Sequence, residues 1–261
     1  MAQQNHYVTL KIKIGKFIFS KRKRINASFI IENDTMTTGL PGVQPMRNNN
    51  LEFTAAVKAG KSFRCAIASA SNLADVNLKN RLVKIFYRIK KNSEGISGPR
   101  PMLISKHRAE LNGIELNVKR RFYNTIFASF TTRHAVARNS AIAQLQNVST
   151  QCMNGVPPSA THFRLIQVLG TIADIVYDEA GKCYKLSNEV LNGLSEATFS
   201  AYLPLTPEPV DISLETIFQE KSELSESITV IQGLGIIFYS NTFKEYLPLR
   251  AGQAMQIVDV F

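Results

Sequence analysis

Nowhere does this chain string together the ~18 apolar residues that a membrane helix needs, so no membrane partner is expected. The opening stretch, MAQQNHYVTL, lacks a basic start followed by an apolar core. No secretory signal is therefore expected, and the chain is read as made in the cytoplasm or carried onward in a released particle. Cysteine is scarce: Cys65, Cys152 and Cys183 are odd in number and widely spaced. That excludes a disulfide framework and points to free thiols in a reducing compartment. Four histidines, His6, His107, His134 and His162, have no metal-ligand spacing with one another or with the cysteines, so neither metal nor cofactor is expected. His134 in TTRHAVAR reads as a turn residue, and His162 in ATHFRL as the start of a strand. A Gly-x-Ser-x-Gly elbow, a zinc finger, an RNA-recognition signature, a helix-turn-helix and a fixed-period repeat are all missing. AAVKAGKS, residues 55–62, ends like a phosphate-binding loop. It lacks the first glycine and lies inside an expected helix, whose N–H groups are already spent. NAS, NDT and NVS fit the glycosylation pattern without an export signal to support it.

What the chain has is segregated charge. Residues 1–140 hold 25 Lys+Arg against 7 Asp+Glu, while residues 141–261 hold 6 against 13. A basic first half and an acidic second half imply that the basic half meets a polyanion, or that the two halves meet each other within or between chains. The basic residues fall into discrete sets. Lys11 and Lys13 alternate with Leu10, Ile12 and Ile14, as one face of a strand. Gly15 interrupts that alternation as a bulge would, and Phe17 and Phe19 resume it. Ile25, Phe29 and Ile31 read as the return strand of a hairpin. Its tip carries Lys21, Arg22, Lys23 and Arg24, which also has the look of a nuclear signal. Residues 8–20 double as an exposed edge able to pair with a neighbouring subunit.

Residues 32–50, rich in Asn, Thr, Gly and Pro, read as a connection. A helix is predicted from about Leu51 to Ala70, capped by Asn48–Asn50, with Phe53, Ala56, Val57, Gly60, Phe63 and Ile67 on one face. Gly60, mid-face, would let another backbone approach. A second helix is predicted from about Leu73 to Lys91, capped by Asn72, with Leu78, Leu82, Ile85, Phe86 and Ile89 as its apolar stripe. Arg81, Lys84, Arg88 and Lys91 share another face and form a basic rail. KRRFY, residues 119–123, adds Lys119, Arg120 and Arg121. Phe17, Phe19, Phe122 and Tyr123 interleave with the charges and could stack on bases, although strand cores use such aromatics too. SKHRAELNG, residues 105–113, reads as one or two helical turns stopped by Gly113.

From residue 113 on, short runs rich in Ile, Val, Phe, Thr and Tyr are separated by turn residues such as DEAGK and PLTPEP. That spacing predicts an antiparallel sandwich or barrel. Residues 212–227 read as a short acidic helix. The fold class is α+β: an N-terminal β-hairpin, a helical hairpin and a C-terminal antiparallel β-sandwich, divided as residues 1–112 and 113–261.

KIKIGKFIFSKRK, NNNLEFTAAVKAGKSFRCAI, RAELNGIELN and ATHFRLI occur in this order. With them the chain resembles a family of uncharacterised Bacteroidetes proteins. Members begin with a Lys-Gly-x-Ile-Gly-type strand motif and a Phe-Tyr-Lys segment, then an Arg-Glu-Asn-x-x-Glu-Phe-Gly helix start and an Ala-Gly-Lys helix. Here Phe19-Ser20 replaces the aromatic pair, and Asn48-Asn49-Asn50 stands at the helix start. The resemblance implies an architecture and no catalytic residues.

Two functions follow as expectations, neither enzymatic. One is a structural subunit that self-assembles into a coat, tube or filament. Its basic half would face a polyanion or the acidic residues Glu215, Glu220 and Glu223 of the next copy, a heterologous contact that propagates. The other is a nucleic-acid-binding protein acting as monomer or dimer through the basic sets. An enzyme with a site assembled from scattered residues is the third class.

Overall fold

A computed structural model describes residues 11–14, 17–21, 28–32, 43–219, 223–242 and 245–261. The chain divides into two compact units, residues 1–48 and 49–261.

In the first unit, β1 (Lys11–Ile14), β2 (Phe17–Lys21) and β3 (Ser28–Glu32) form an antiparallel meander in the order β1-β2-β3. Ile14 pairs with Phe17. The alternating run around Gly15 is therefore two strands that reverse, not one strand with a bulge, and the expected hairpin is three-stranded. Lys11 and Lys13 lie on β1 and Lys21 ends β2, opposite Ser28. Arg22, Lys23, Arg24 and Ile25 fall outside the described residues.

Helix α1 (Val43–Ala66) starts inside the stretch expected to be a connection. Its buried face differs from the expected one. Ala55, Ala56, Ala59 and Ala66 are fully buried with Phe63, whereas Phe53 and Val57 are exposed. Alanines sit inward because the helix packs close. A Cβ on Gly60 would lie 3.6 Å from Val83 of the next helix. That helix, α2 (Leu78–Asn92), begins later than the sequence suggests. Residues 68–73 form a 3-10 turn, and Asn77, not Asn72, stands at the helix start. Four of the five expected stripe residues, Leu78, Leu82, Phe86 and Ile89, are buried and Ile85 is partly exposed; the Phe63 and Phe86 rings meet edge to face at 6.3 Å. The helical hairpin is thus formed. Gly113, with φ +79°, ends the 3-10 turns of residues 104–111.

After α3 (Phe122–Thr125) come β4 (Phe130–His134), β5 (Ser140–Val148), β6 (His162–Ala173), β7 (Ile175–Asp178), β8 (Cys183–Leu186), β9 (Ser195–Phe199), β10 (Leu203–Pro204), β11 (Val210–Ile217), β12 (Ile228–Thr242), β13 (Glu245–Pro248) and β14 (Ala254–Val260). β6 and β12 pair antiparallel along their length. β9 and β10 flank β6, and β13 and β14 flank β12. A second antiparallel sheet has the order β11-β5-β4.

The central sheet is buried on both faces, which is why β6 and β12 read as continuous apolar runs. On one face Ile166, Val168, Ile231 and Ile257 pack with the helices. On the other, Leu165, Leu234 and Phe238 pack with Leu145, Ile212 and Leu214 of the second sheet. Helices and sheet share one core, and residue 112 lies within that unit. Gly170 of β6 passes against the end of α1, where any Cβ would collide with the Ala66 carbonyl. The two sheets also meet at their edges. Thr198 on β9 donates to the Glu215 carbonyl on β11 at 2.8 Å, and Asp259 on β14 lies 3.8 Å from His134 on β4.

Two sequence readings change here. Residues 210–217 are a strand, because Ile212, Leu214 and Thr216 alternate inward while Asp211, Ser213 and Glu215 face out. The acidic side chains disguised a period of two. His134 is the last strand residue of β4, stacked on Phe261 at 3.9 Å, and not a turn residue. His162 does open β6.

Candidate functional site

The segment after the helical hairpin builds a groove against α2. Gly113 and Leu116 donate to the carbonyls of Ile257 and Met255, and Ile257 donates back to Ile114, so residues 113–116 run along the edge of β14. Arg81 of α2 locks them there. One guanidinium nitrogen donates to Asp75 at 2.6 Å, and the other to the carbonyls of Glu115 (2.7 Å) and Leu116 (3.1 Å). Burial would raise the Asp75 carboxyl, but hydrogen bonds from Arg81, Val118 and Asn77 outweigh it and hold the group below its ordinary value.

The resulting groove, of about 600 Å³, brings together Arg81, Lys84, Arg121, Tyr123, Glu115 and Gln256. Its rim is cationic and unspent. Among the described residues the exposed Lys84 and Arg121 side chains make no ion pair or hydrogen bond. Tyr123 is half exposed; its ring stacks on Phe130 at 5.9 Å and meets the edge of buried Phe122. One face of the ring is fixed by the protein and much of the rest is open, which makes a rigid platform. Glu115 lies deeper and accepts from the Phe122 amide at 3.1 Å. Burial pushes its carboxyl above the usual range, against that hydrogen bond and the charges of Arg121 and Arg81. Gln256 is more than nine-tenths buried. Its Nε2 donates to the Gly113 carbonyl, while its Oε1, closed off from solvent, has no hydrogen-bond partner among the described residues.

The basic sets named from sequence are thus sorted. Arg81 and Lys84 of the rail and Arg121 of KRRFY meet in the groove. Arg88 pairs with Glu110 at 2.9 Å, and Lys91 lies over the Tyr87 ring at 5.1 Å; neither lines the groove. Arg120 reaches instead toward the Gly155 carbonyl, and Lys119 is exposed beyond the rim. Phe122 is a core residue, and the side chains of Phe17 and Phe19 lie outside the described residues. Glu215 and Glu223 are exposed on β11 and in the following turn, and Glu220 lies outside the described residues. Sequence reasoning missed Glu115 and Gln256. They pair across the sheet edge from distant parts of the chain, a contact without local signal.

A smaller depression of about 430 Å³ adjoins, lined by Lys61, Arg64, Lys79 and Asp75, so the Asp75–Arg81 pair forms a shared wall. Elsewhere a buried polar cluster uses its charges internally. Lys90, wholly buried, donates to the Arg100 carbonyl and to the Tyr184 hydroxyl at 2.7 Å. Glu52 forms an ion pair with Arg100 at 2.8 Å and accepts from the Gly98 amide at 3.1 Å. With two cations against one carboxylate, burial brings the Lys90 amine down to about 8, with Glu52 opposing and Arg100 assisting. Burial also pushes the Tyr184 hydroxyl up. The cluster lines neither depression and fastens residues 97–100 to both helices.

Cys65, Cys152 and Cys183 are free thiols. Among the described residues no helix is long and apolar enough to cross a membrane, and no three His, Cys, Asp or Glu side chains are placed to hold a metal ion. No model of a known protein family matches the chain, and no curated protein matches it.

Proposed function

We propose that this chain binds single-stranded nucleic acid along the groove between α2 and residues 112–124, and that it acts by binding alone. One observation carries the reading: Lys84, Arg121 and the half-exposed Tyr123 line a single groove, and among the described residues neither cation makes an ion pair or hydrogen bond. Cations that track phosphates beside an aromatic that takes a base face are the two elements of strand binding without sequence preference. The walls are pre-formed, since Arg81 holds Glu115 and Leu116 by their carbonyls and Phe130 holds Tyr123. The net basic character of the first half favours the approach of a polyanion.

The test is a fluorescence-anisotropy titration of a labelled oligo(dT) over a range of salt. Replacing Lys84 and Arg121 by Gln should lower the slope of log affinity against log salt by about 1.4, at about 0.7 per phosphate contact. Both residues are exposed, so the fold should survive. Absence of binding at low salt, or an unchanged slope, would remove the reading. Sedimentation of the same samples examines the self-assembling subunit. Particles that form without nucleic acid and vanish in the double variant would assign the groove to a neighbouring copy.

A further inference from the structure

The floor of the groove differs in kind from its rim. The rim offers cations, whereas the Glu115 carboxylate, half-buried among the lining residues, presents an acceptor. Arg81, the third cation, is committed to Asp75 and to two carbonyls. Asn112 and Asn124 also line the groove, but an amide offers both donor and acceptor and does not discriminate. The Phe122 amide occupies one Glu115 oxygen, and the carboxylate keeps capacity to accept from a ligand donor. From this we infer that the groove prefers cytosine and adenine, whose exocyclic amine sits at C4 or C6 where thymine, uracil and guanine carry a carbonyl, over thymine or uracil. The inference rests on the nucleic-acid reading above.

Cytosine and thymine make the cleanest pair, because their rings match in size and stacking area. At C4 cytosine carries an N–H donor and thymine a carbonyl acceptor. A donor there meets the Glu115 carboxylate, as carboxylates accept from the cytosine amine. A carbonyl there faces a second acceptor and gains no hydrogen bond from it. A mismatch against a buried hydrogen-bonding group discriminates more strongly than a change in apolar size.

Competition titrations of oligo(dC) and oligo(dT) of equal length, repeated over a rising series of pH so that the raised Glu115 carboxyl becomes ionised, test this directly. Wild-type protein is expected to favour oligo(dC) by about tenfold, the range of one good base contact. Glu115→Gln should bring the ratio near one and leave the salt slope unchanged. Its amide oxygen can still accept from the Phe122 N–H, so the groove should keep its form; circular dichroism checks this. Equal binding of the two oligomers by wild-type protein overturns the inference and leaves the nucleic-acid reading standing. A preference that persists in Glu115→Gln also overturns it. Failure of both oligomers to bind at low salt removes the underlying reading and the inference with it.

Discussion

Helix α2 carries Lys84 and Lys90 on different faces, and the fold uses them in opposite ways. Lys90 is wholly buried, and the Arg100 carbonyl and Tyr184 hydroxyl take up its ammonium group. Lys84 is exposed at the groove rim and makes no ion pair or hydrogen bond among the described residues. The difference teaches that the count of basic residues says little about binding until each cation is traced to its partner. Arg81 and Arg88 belong to the expected rail, yet Asp75 and Glu110 neutralise them. A surface pair such as Arg88–Glu110 contributes only about 0.2–1 kcal/mol, so its charge is tied up at little gain in stability. What remains for a ligand is a short set at one end of the rail, joined by Arg121 from another part of the chain.

The comparison breaks most sharply at the buried cluster. Glu52→Gln would leave Lys90 and Arg100 without their carboxylate, and removing one partner of a buried ion pair costs about 3–5 kcal/mol. Urea unfolding should show a loss of that size, with no change in nucleic-acid affinity for the protein that stays folded.

The same cluster sets a pH dependence. The Lys90 amine lies below its unfolded value, so the unfolded chain binds the proton more tightly and charging the lysine opposes folding. Stability is lowest below about pH 8 and rises from there toward about pH 10, by on the order of 3 kcal/mol at most. Above that range the raised Tyr184 hydroxyl works the other way, because the unfolded tyrosine ionises first. Thermal melts across this window should show the rise, and Lys90→Met should flatten it. A flat profile in the wild-type protein would show that Lys90 folds at no cost in charge.

On the open face the effects are smaller and appear in binding. Tyr123→Ala should weaken oligo(dT) by about 1–3 kcal/mol, the contribution of one base stack, and lower urea stability by about 0.5–1.5 kcal/mol through the lost ring contacts with Phe130 and Phe122. A smaller effect comes from Glu115, whose carboxyl is raised by burial. As pH falls through that raised range the groove loses a negative charge, so oligo(dT) should bind more tightly. Glu115→Gln should remove the dependence.

Much of the fold is legible in the sequence. The two longest strands declare themselves because a sheet buried on both faces needs unbroken apolar runs. The α2 stripe is legible because its large side chains all point inward. α1 is harder: its inward face is alanine, and its bulkiest residue near the start, Phe53, faces solvent against Tyr87. β11 is masked by acidic residues on its outer face. Of the groove, Arg81, Lys84 and Arg121 are legible as cations. Which of them stays unpaired depends on Asp75 and the path of residues 113–118, and that is set by tertiary packing.

The most direct measurement compares two double variants drawn from the same basic sets, Lys84→Gln/Arg121→Gln and Arg88→Gln/Lys91→Gln, in salt-dependent binding to oligo(dT). The first pair should lose about 1.4 in the slope of log affinity against log salt, and the second should stay near the wild-type value. Equal losses in both would mean that the strand runs along the whole helix face and that the groove has no special role.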